Sequence, residues 1–242
     1  GNEDRAAQDR DQDRQRRAHP SPVKDLLGLM LEGADPATGA RLSDTNIRYQ
    51  VITFLIAGHE TTSGLLSFAL YFLTQHPEVL ARTVAEVDGV LPRGTAMTYE
   101  DLDRLVIVEQ VLEETLRLWP TAPAFSVAPY ADTVLPGGYR LAKDQRVTVL
   151  LPALHRDPAV WDRPEQFDID RFDPARRVNI PPHAFKPFGN GSRACIGKQF
   201  AMMEAKLALA RVLQNFDLVH DPAYRLTIKE TLSLKPDGFR LK

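Results

Sequence analysis

Phe188-Gly189-Asn190-Gly191-Ser192-Arg193-Ala194-Cys195-Ile196-Gly197 decides how the rest of this 242-residue chain is read. It holds the only cysteine of the sequence. Its glycines permit turns that strain other residues, and they let a flat ligand approach the backbone. Downstream, Phe200, Met203, Leu207, Ala210 and Leu213 recur at helical spacing. That spacing predicts a helix over 195–215 with Cys195 in its first turn. Unsatisfied N–H groups and the helix dipole would favour a thiolate there, and Arg193 adds positive charge. Such a loop suits a thiolate-ligated metal. The same residues also allow a free cysteine buried in a tight loop. Gly189, Gly191 and Ala194 fit a loose dinucleotide-binding pattern, G-x-G-x-x-A. A hydrophobic strand should precede that pattern, and Ala184-Phe185-Lys186-Pro187 is not one.

Towards the N-terminus, Ser43 is a good helix cap, with Leu42 and Ile47 placed as a hydrophobic staple. No proline follows until Pro77. The pattern predicts a helix from 43 to about 75, roughly 48 Å long at 1.5 Å per residue. Its centre is Ala57-Gly58-His59-Glu60-Thr61-Thr62-Ser63-Gly64. A carboxylate at a bilayer midplane costs about 3 kcal/mol on insertion scales. The stretch therefore reads as a buried helix with a polar functional break, not as a membrane span. Small residues would open a groove there, Thr61 could bond the carbonyl four residues back, and Glu60 could exchange protons. His59-Glu60 does not begin a zinc motif, since position 63 is Ser, and six scattered histidines with one cysteine supply no zinc ligand set. The bland alternative is a satisfied polar patch under a loop.

A third feature is Glu114-Thr115-Leu116-Arg117. Acid and base three apart face the same side of a helix. Their neighbours Val111, Leu112, Leu116, Leu118 and Trp119 are apolar, so a buried pair would need a further partner. Around these features the chain shows a short helix over 23–31 and a polar turn over 33–39. A helix starts at Pro77 and ends near Gly89. Thr98 and Asp101 form a capping-box-like pair before a helix that runs to Pro120. Strands are expected at 133–141 and 145–151, and a hairpin around Pro236-Asp237-Gly238. Residues 152–194 are rich in Pro and Asp and lack periodicity. Residues 1–22 hold no large apolar side chain and read as a frayed tail or an exposed helix. The class is mainly α with small β-sheets. Net charge is −2, which gives no field for nucleic acid or an anionic membrane, and one cysteine excludes an internal disulfide framework.

Together, in this order and spacing, the three features resemble the cytochrome P-450 family. Phe188, Gly191, Arg193, Cys195 and Gly197 fit the family's haem-binding F-x-x-G-x-R-x-C-x-G at every fixed position. Residues 57–62 fit its oxygen-site helix, and Glu114 to Arg117 fit its E-x-x-R. The wording of residues 56–64, 116–125 and 183–191 is similar to that of the bacterial self-sufficient fatty-acid hydroxylases, whose haem domain is fused to a diflavin reductase. The resemblance covers residues 20–242.

It implies a haem b cofactor with Cys195 as the proximal thiolate and metal ligand, Arg193 on a propionate, and Phe188 packed near the sulfur, in a loop shaped by Gly189, Gly191 and Gly197. It implies that Thr61 and Glu60 deliver protons to the oxygen being activated, with Ala57 and Gly58 leaving room. Glu114, Arg117 and Arg171 would form a buried structural triad. Ala122, Ala124 and Leu232 would line the substrate side. The Arg-Phe at 171–172 lacks the proline that usually precedes it in the family, which puts that turn in question. The implied partners are O2, an apolar substrate such as a fatty acid, and a reductase carrying FAD, FMN and NADPH, in the cytoplasm, with no nucleic acid and no membrane span. A family haem domain is nearly twice this long. The expectation is therefore residues 1–20 as the exposed or frayed cut end of a larger domain and 21–242 as the C-terminal half of a haem domain. The competing reading is a truncated, non-catalytic fragment with no stable haem site.

Overall fold

The computed structural model describes residues 25–92 and 94–241, so the tail expected over 1–20 and the start of the helix expected over 23–31 lie outside the described residues. The chain divides into two compact units, Gly1–His59 and Glu60–Lys242.

In the first unit, helix α1 is Leu26–Glu32, with Asp25 capping it by accepting from Gly28 N–H at 2.7 Å. Asp35 then folds the polar turn. Its carboxylate accepts from Ala37 N–H, Thr38 N–H and the Thr38 hydroxyl, which together hold it below the usual carboxylate range, the hydroxyl most of all. The long helix α2 is Asp44–Gln75, and Ser43 caps it by accepting from Asn46 N–H at 3.2 Å. The polar stretch at its centre does not break it: helical backbone continues through all 32 residues. Nor is its whole length buried, since Ile52, Leu55 and Ile56 are exposed.

The second unit is built on the rest of α2. Helix α3 is Pro77–Val90, with proline in its first turn. The Thr98 N–H and hydroxyl both donate to Asp101 at the head of a 3-10 turn, Glu100–Arg104, and helix α4, Val106–Leu118, follows. No side chain of its own caps α4. Glu86 on α3 does it instead, accepting from Ile107 N–H at 2.7 Å and Val108 N–H at 2.9 Å. The core joins Leu65, Ala69, Phe72 and Leu73 of α2 to Val79 and Val87 of α3 and to Val108, Val111 and Leu112 of α4. Leu209, Ala210 and Leu213 complete it from helix α7, Lys198–Asn215. Burying each large apolar side chain stabilises the fold by about 1.5–3 kcal/mol. Phe72 stacks on Phe167 with centroids 4.4 Å apart, and Phe68 on Trp119 at 5.5 Å.

The sheets are three antiparallel pairs. Strand β1, Ala124–Val127, pairs with β4, Val147–Leu150; β2, Thr133–Val134, with β3, Arg140–Leu141; and β5, Ile228–Glu230, with β6, Leu234–Pro236. The structure corrects three expectations. Strand β1 was not foreseen, since its pairing partner lies far along the chain. The final hairpin turns at Thr231-Leu232-Ser233, not at Pro236-Asp237-Gly238, with Ile228 opposite Pro236. The third correction concerns Cys195, which lies ahead of α7 and not in its first turn, because Gly197 is the residue that precedes the helix. The Pro- and Asp-rich stretch 152–194 is carried by short pieces. These are α5, Leu151–Leu154; a 3-10 turn, Ile169–Phe172; α6, Pro174–Arg177; and a 3-10 turn, Gly191–Arg193, inside the cysteine loop.

Candidate functional site

The cysteine loop is set by its backbone. Gly189 and Gly191 take φ of +74° and +66°, where only glycine is unstrained. Gly189 N–H donates to Lys186 O at 3.0 Å, Ala194 N–H to Gly191 O at 3.1 Å and Cys195 N–H to Phe188 O at 2.8 Å. The Cys195 amide is thus spent on closing the loop around Phe188. Cys195, Arg193 and Ile196 are exposed, and a Cβ at Gly197 would lie 3.8 Å from Cys195 Sγ. Phe188 sits half-buried with the Lys198 ammonium 5.9 Å from its ring.

Upstream, the loop is fastened by a residue that the sequence did not single out. His155 is fully buried, and its Nε2 accepts from Lys186 N–H at 2.9 Å. The ring proton therefore sits on Nδ1, facing the backbone of Leu116 and Arg117, where no hydrogen bond of good geometry forms. Burial pushes this imidazole down to about 4, so it stays neutral.

The His155 carbonyl belongs to a second constellation. Glu114 and Arg117 are fully buried on α4 and paired twice, Nε to Oε2 at 2.7 Å and Nη2 to Oε1 at 2.8 Å. Arg117 spends its remaining protons on the carbonyls of His155, Pro164 and Gln166, at 2.9, 2.7 and 2.9 Å. Glu114 also accepts from Asp168 N–H at 2.9 Å, and Arg171 Nε lies 3.4 Å from it. Burial raises the Glu114 carboxyl, and Arg117, the Asp168 amide and Arg171 oppose that rise. The structure thus brings Glu114, Arg117 and Arg171 together. The turn that carries Arg171 forms without a proline because Asp168 caps it, accepting from Asp170 N–H at 3.1 Å.

On α2, Glu60 and Thr61 are half-buried, and Ala57 and Gly58 are exposed one turn earlier. A Cβ at Gly58 would meet nothing within 4 Å. The β5–β6 hairpin meets the helix here: the Thr231 hydroxyl lies 3.5 Å from Glu60 Oε2. Leu234 N–H donates to Thr121 O at 2.8 Å. That bond brings the segment holding Ala122, and β1 with Ala124 behind it, to the hairpin whose tip is Leu232. All three side chains are exposed. No helix among the described residues is long and apolar enough to cross a membrane, and no cluster of three or more His, Cys, Asp or Glu among them is set to hold a metal.

The exposed thiol, the exposed guanidinium of Arg193 and the apolar Ile196 beside them fit a planar amphipathic group with a central soft-ligand metal and an anionic edge. Haem is such a group. Two residues escaped sequence reading, His155 and Glu86. Each acts on a backbone group far along the chain, and no local pattern marks either.

Residues 4–242 match the family described as Cytochrome P450, written here P-450. The chain is 53% identical over 234 residues to a bifunctional cytochrome P-450/NADPH–P-450 reductase of Bacillus subtilis, covering 94% of this chain and 21% of that protein. It is 51% identical over 234 residues to a self-sufficient cytochrome P-450 monooxygenase of Aspergillus terreus, covering 94% of this chain and 22% of that one. The crystal structure of the haem domain of cytochrome P-450DA superposes with a TM-score of 0.92 at 52% identity, over 98% of this chain and 53% of that one. The chain thus spans about a fifth of the length of these curated relatives and about half of that solved haem domain. A match over nearly every residue, together with this loop and this buried acid–base junction, makes the chain a member of the cytochrome P-450 family.

Proposed function

We propose that this chain carries the thiolate side of a haem-dependent monooxygenase acting on a fatty acid or a similar apolar substrate in the cytoplasm. One atom of O2 enters a C–H bond and the other leaves as water. The two electrons required come from NADPH through FAD and FMN of a diflavin reductase. The observation that carries the proposal is an exposed thiol on a loop made rigid by the Cys195–Phe188 hydrogen bond and two left-handed glycines.

Cys195 would ligate haem b through its thiolate, Arg193 would pair with a propionate, and Phe188 would pack beside the sulfur. Gly189, Gly191 and Gly197 keep side chains out of the way. Bound there, a thiolate-ligated haem supplies the electron density that favours O–O cleavage. Glu60 holds and releases a proton on the open side of α2, and the Thr61 hydroxyl relays it. Ala57 and Gly58 leave space for a small molecule. Ala122, Ala124 and Leu232 present an apolar wall to the substrate. Glu114, Arg117 and Arg171 do no chemistry. They hold the segment that delivers the loop.

The test is the absorption spectrum of the protein loaded with haem, reduced and treated with carbon monoxide. A strongly red-shifted Soret band that is lost in Cys195→Ala is expected. Its persistence in that variant, or its absence from the parent protein, would overturn the proposal.

A further inference from the structure

Gly64 lies inside α2, where glycine is a poor choice, and its backbone is not in the left-handed region that would require it. What requires it is space. A Cβ there would fall 2.7 Å from Leu234 O and 3.1 Å from Thr121 Cγ2. The first of these is backbone, so the strand itself would have to move, since carbon contacts settle at about 3.5–4.0 Å. Strand β6 is also bonded at this point, because Leu234 N–H donates to Thr121 O at 2.8 Å. The Leu234 N–H is therefore bonded, and its carbonyl is packed against Gly64, at this crossing. Two residues back is Leu232, 73% exposed at the hairpin tip. One residue further back is Thr231, 3.5 Å from Glu60. Glu60 and Gly64 are four apart on α2 and share a face. The hairpin thus lies along the helix face that carries Glu60, and Ser233 between tip and crossing is buried.

We propose that Gly64 is a positioning residue that sets how closely the β5–β6 hairpin approaches α2, and so decides which carbon of an apolar substrate meets the oxidising centre. The proposal rests on the monooxygenase reading above and names a determinant of its specificity. The Gly64→Ala methyl would push Leu234 outward and carry Leu232 with it. Offsets well below 1 Å are enough to redistribute attack among neighbouring C–H bonds, since catalytic positioning is lost over about 1 Å.

The experiment uses the haem-loaded, reductase-supplied holoenzyme with lauric acid as the probe. Gly64→Ala is expected to speed hydrogen exchange of the Leu234 amide at least tenfold and to shift the distribution of hydroxylated positions. The red-shifted carbon monoxide band should stay in place. Gly89→Ala, on an exposed face of α3 where a Cβ meets nothing within 4 Å, is the control. It should raise the melting temperature and change neither readout. Unchanged Leu234 exchange in Gly64→Ala would overturn the spacing role. Faster exchange with an unaltered product distribution would overturn the link to specificity. If Gly64→Ala does not fold, Leu232→Ala decides: it should shift the distribution without touching Leu234 exchange, and an unshifted distribution would sink the proposal. If the parent gives neither band nor product, the monooxygenase reading fails, and the exchange measurement still judges the spacing.

Discussion

The Glu114–Arg117 junction and the Cys195 loop are both tied to His155 and use charge in opposite ways. At the junction the charged groups are buried and turned on one another and on three backbone carbonyls. At the loop the backbone is pinned just as firmly, but the thiol and the guanidinium stay open. The difference separates groups used up in the protein's own bonding from groups left facing solvent. His155 joins the two regions, offering its carbonyl to Arg117 and its ring to Lys186.

Removing a junction charge should give the largest effect. Arg117→Ala leaves Glu114 buried and uncompensated and strips three carbonyls of their donor. A loss of about 3–5 kcal/mol in urea unfolding is expected, and a loss below 1 kcal/mol would show the junction to be dispensable. Acid should come next. His155 is held neutral down to about pH 4, whereas an unfolded histidine takes up a proton near 6.5. Between these values the unfolded chain binds the extra proton, so stability falls as pH drops from 6.5 to 4 and is fully present above 6.5. The histidine contributes about 3 kcal/mol to that slope. Unfolding midpoints measured across the window should fall less in His155→Phe, and equal slopes would refute the assignment.

Glu86→Gln probes the scaffold away from both regions. It removes the charge at the start of α4 and leaves one acceptor oxygen for the two N–H groups of Ile107 and Val108, which in the parent chain take one carboxylate oxygen each. A loss of about 1 kcal/mol is expected, and no loss at low salt would mean that the charge is irrelevant. The smallest effect on stability should belong to Cys195→Ala. Its side chain is exposed, so the unfolding midpoint should stay where it is while the thiolate band vanishes. A large drop in the midpoint would move Cys195 to the structural side of the comparison.

Much of this was legible in the residues. Ser43 and the absence of proline until Pro77 mark the ends of α2, whereas the strand expected at 133–141 is two short strands folded at Gly137-Gly138, where both glycines have positive φ. The cysteine loop and the Glu114–Arg117 pair announce themselves by spacing. What escaped was set at a distance. Strand β1 exists because Val147–Leu150 comes to pair with it. The hairpin turn falls at Thr231-Leu232-Ser233 because Leu234 is fixed by Thr121 and Gly64, while Pro236-Asp237-Gly238 only looks like a turn. The helix after Cys195 starts late because the loop uses the Cys195 amide for its own closure.

The three carbonyls gathered by Arg117 lie 38, 47 and 49 residues further along the chain. In kinetic terms the guanidinium closes three long loops at one point. Loop closure must come before its contacts can repay the entropy, so such contacts form late. The stretch around 155–166 has little regular structure to order it beforehand. Its amides should therefore gain protection together, after those of α4, in pulse-labelled refolding. Independent early protection of that stretch would contradict this. On that timetable the cysteine loop, fastened to the same stretch through Lys186, is set only after Arg117, so a buried guanidinium governs when an exposed thiol reaches its place.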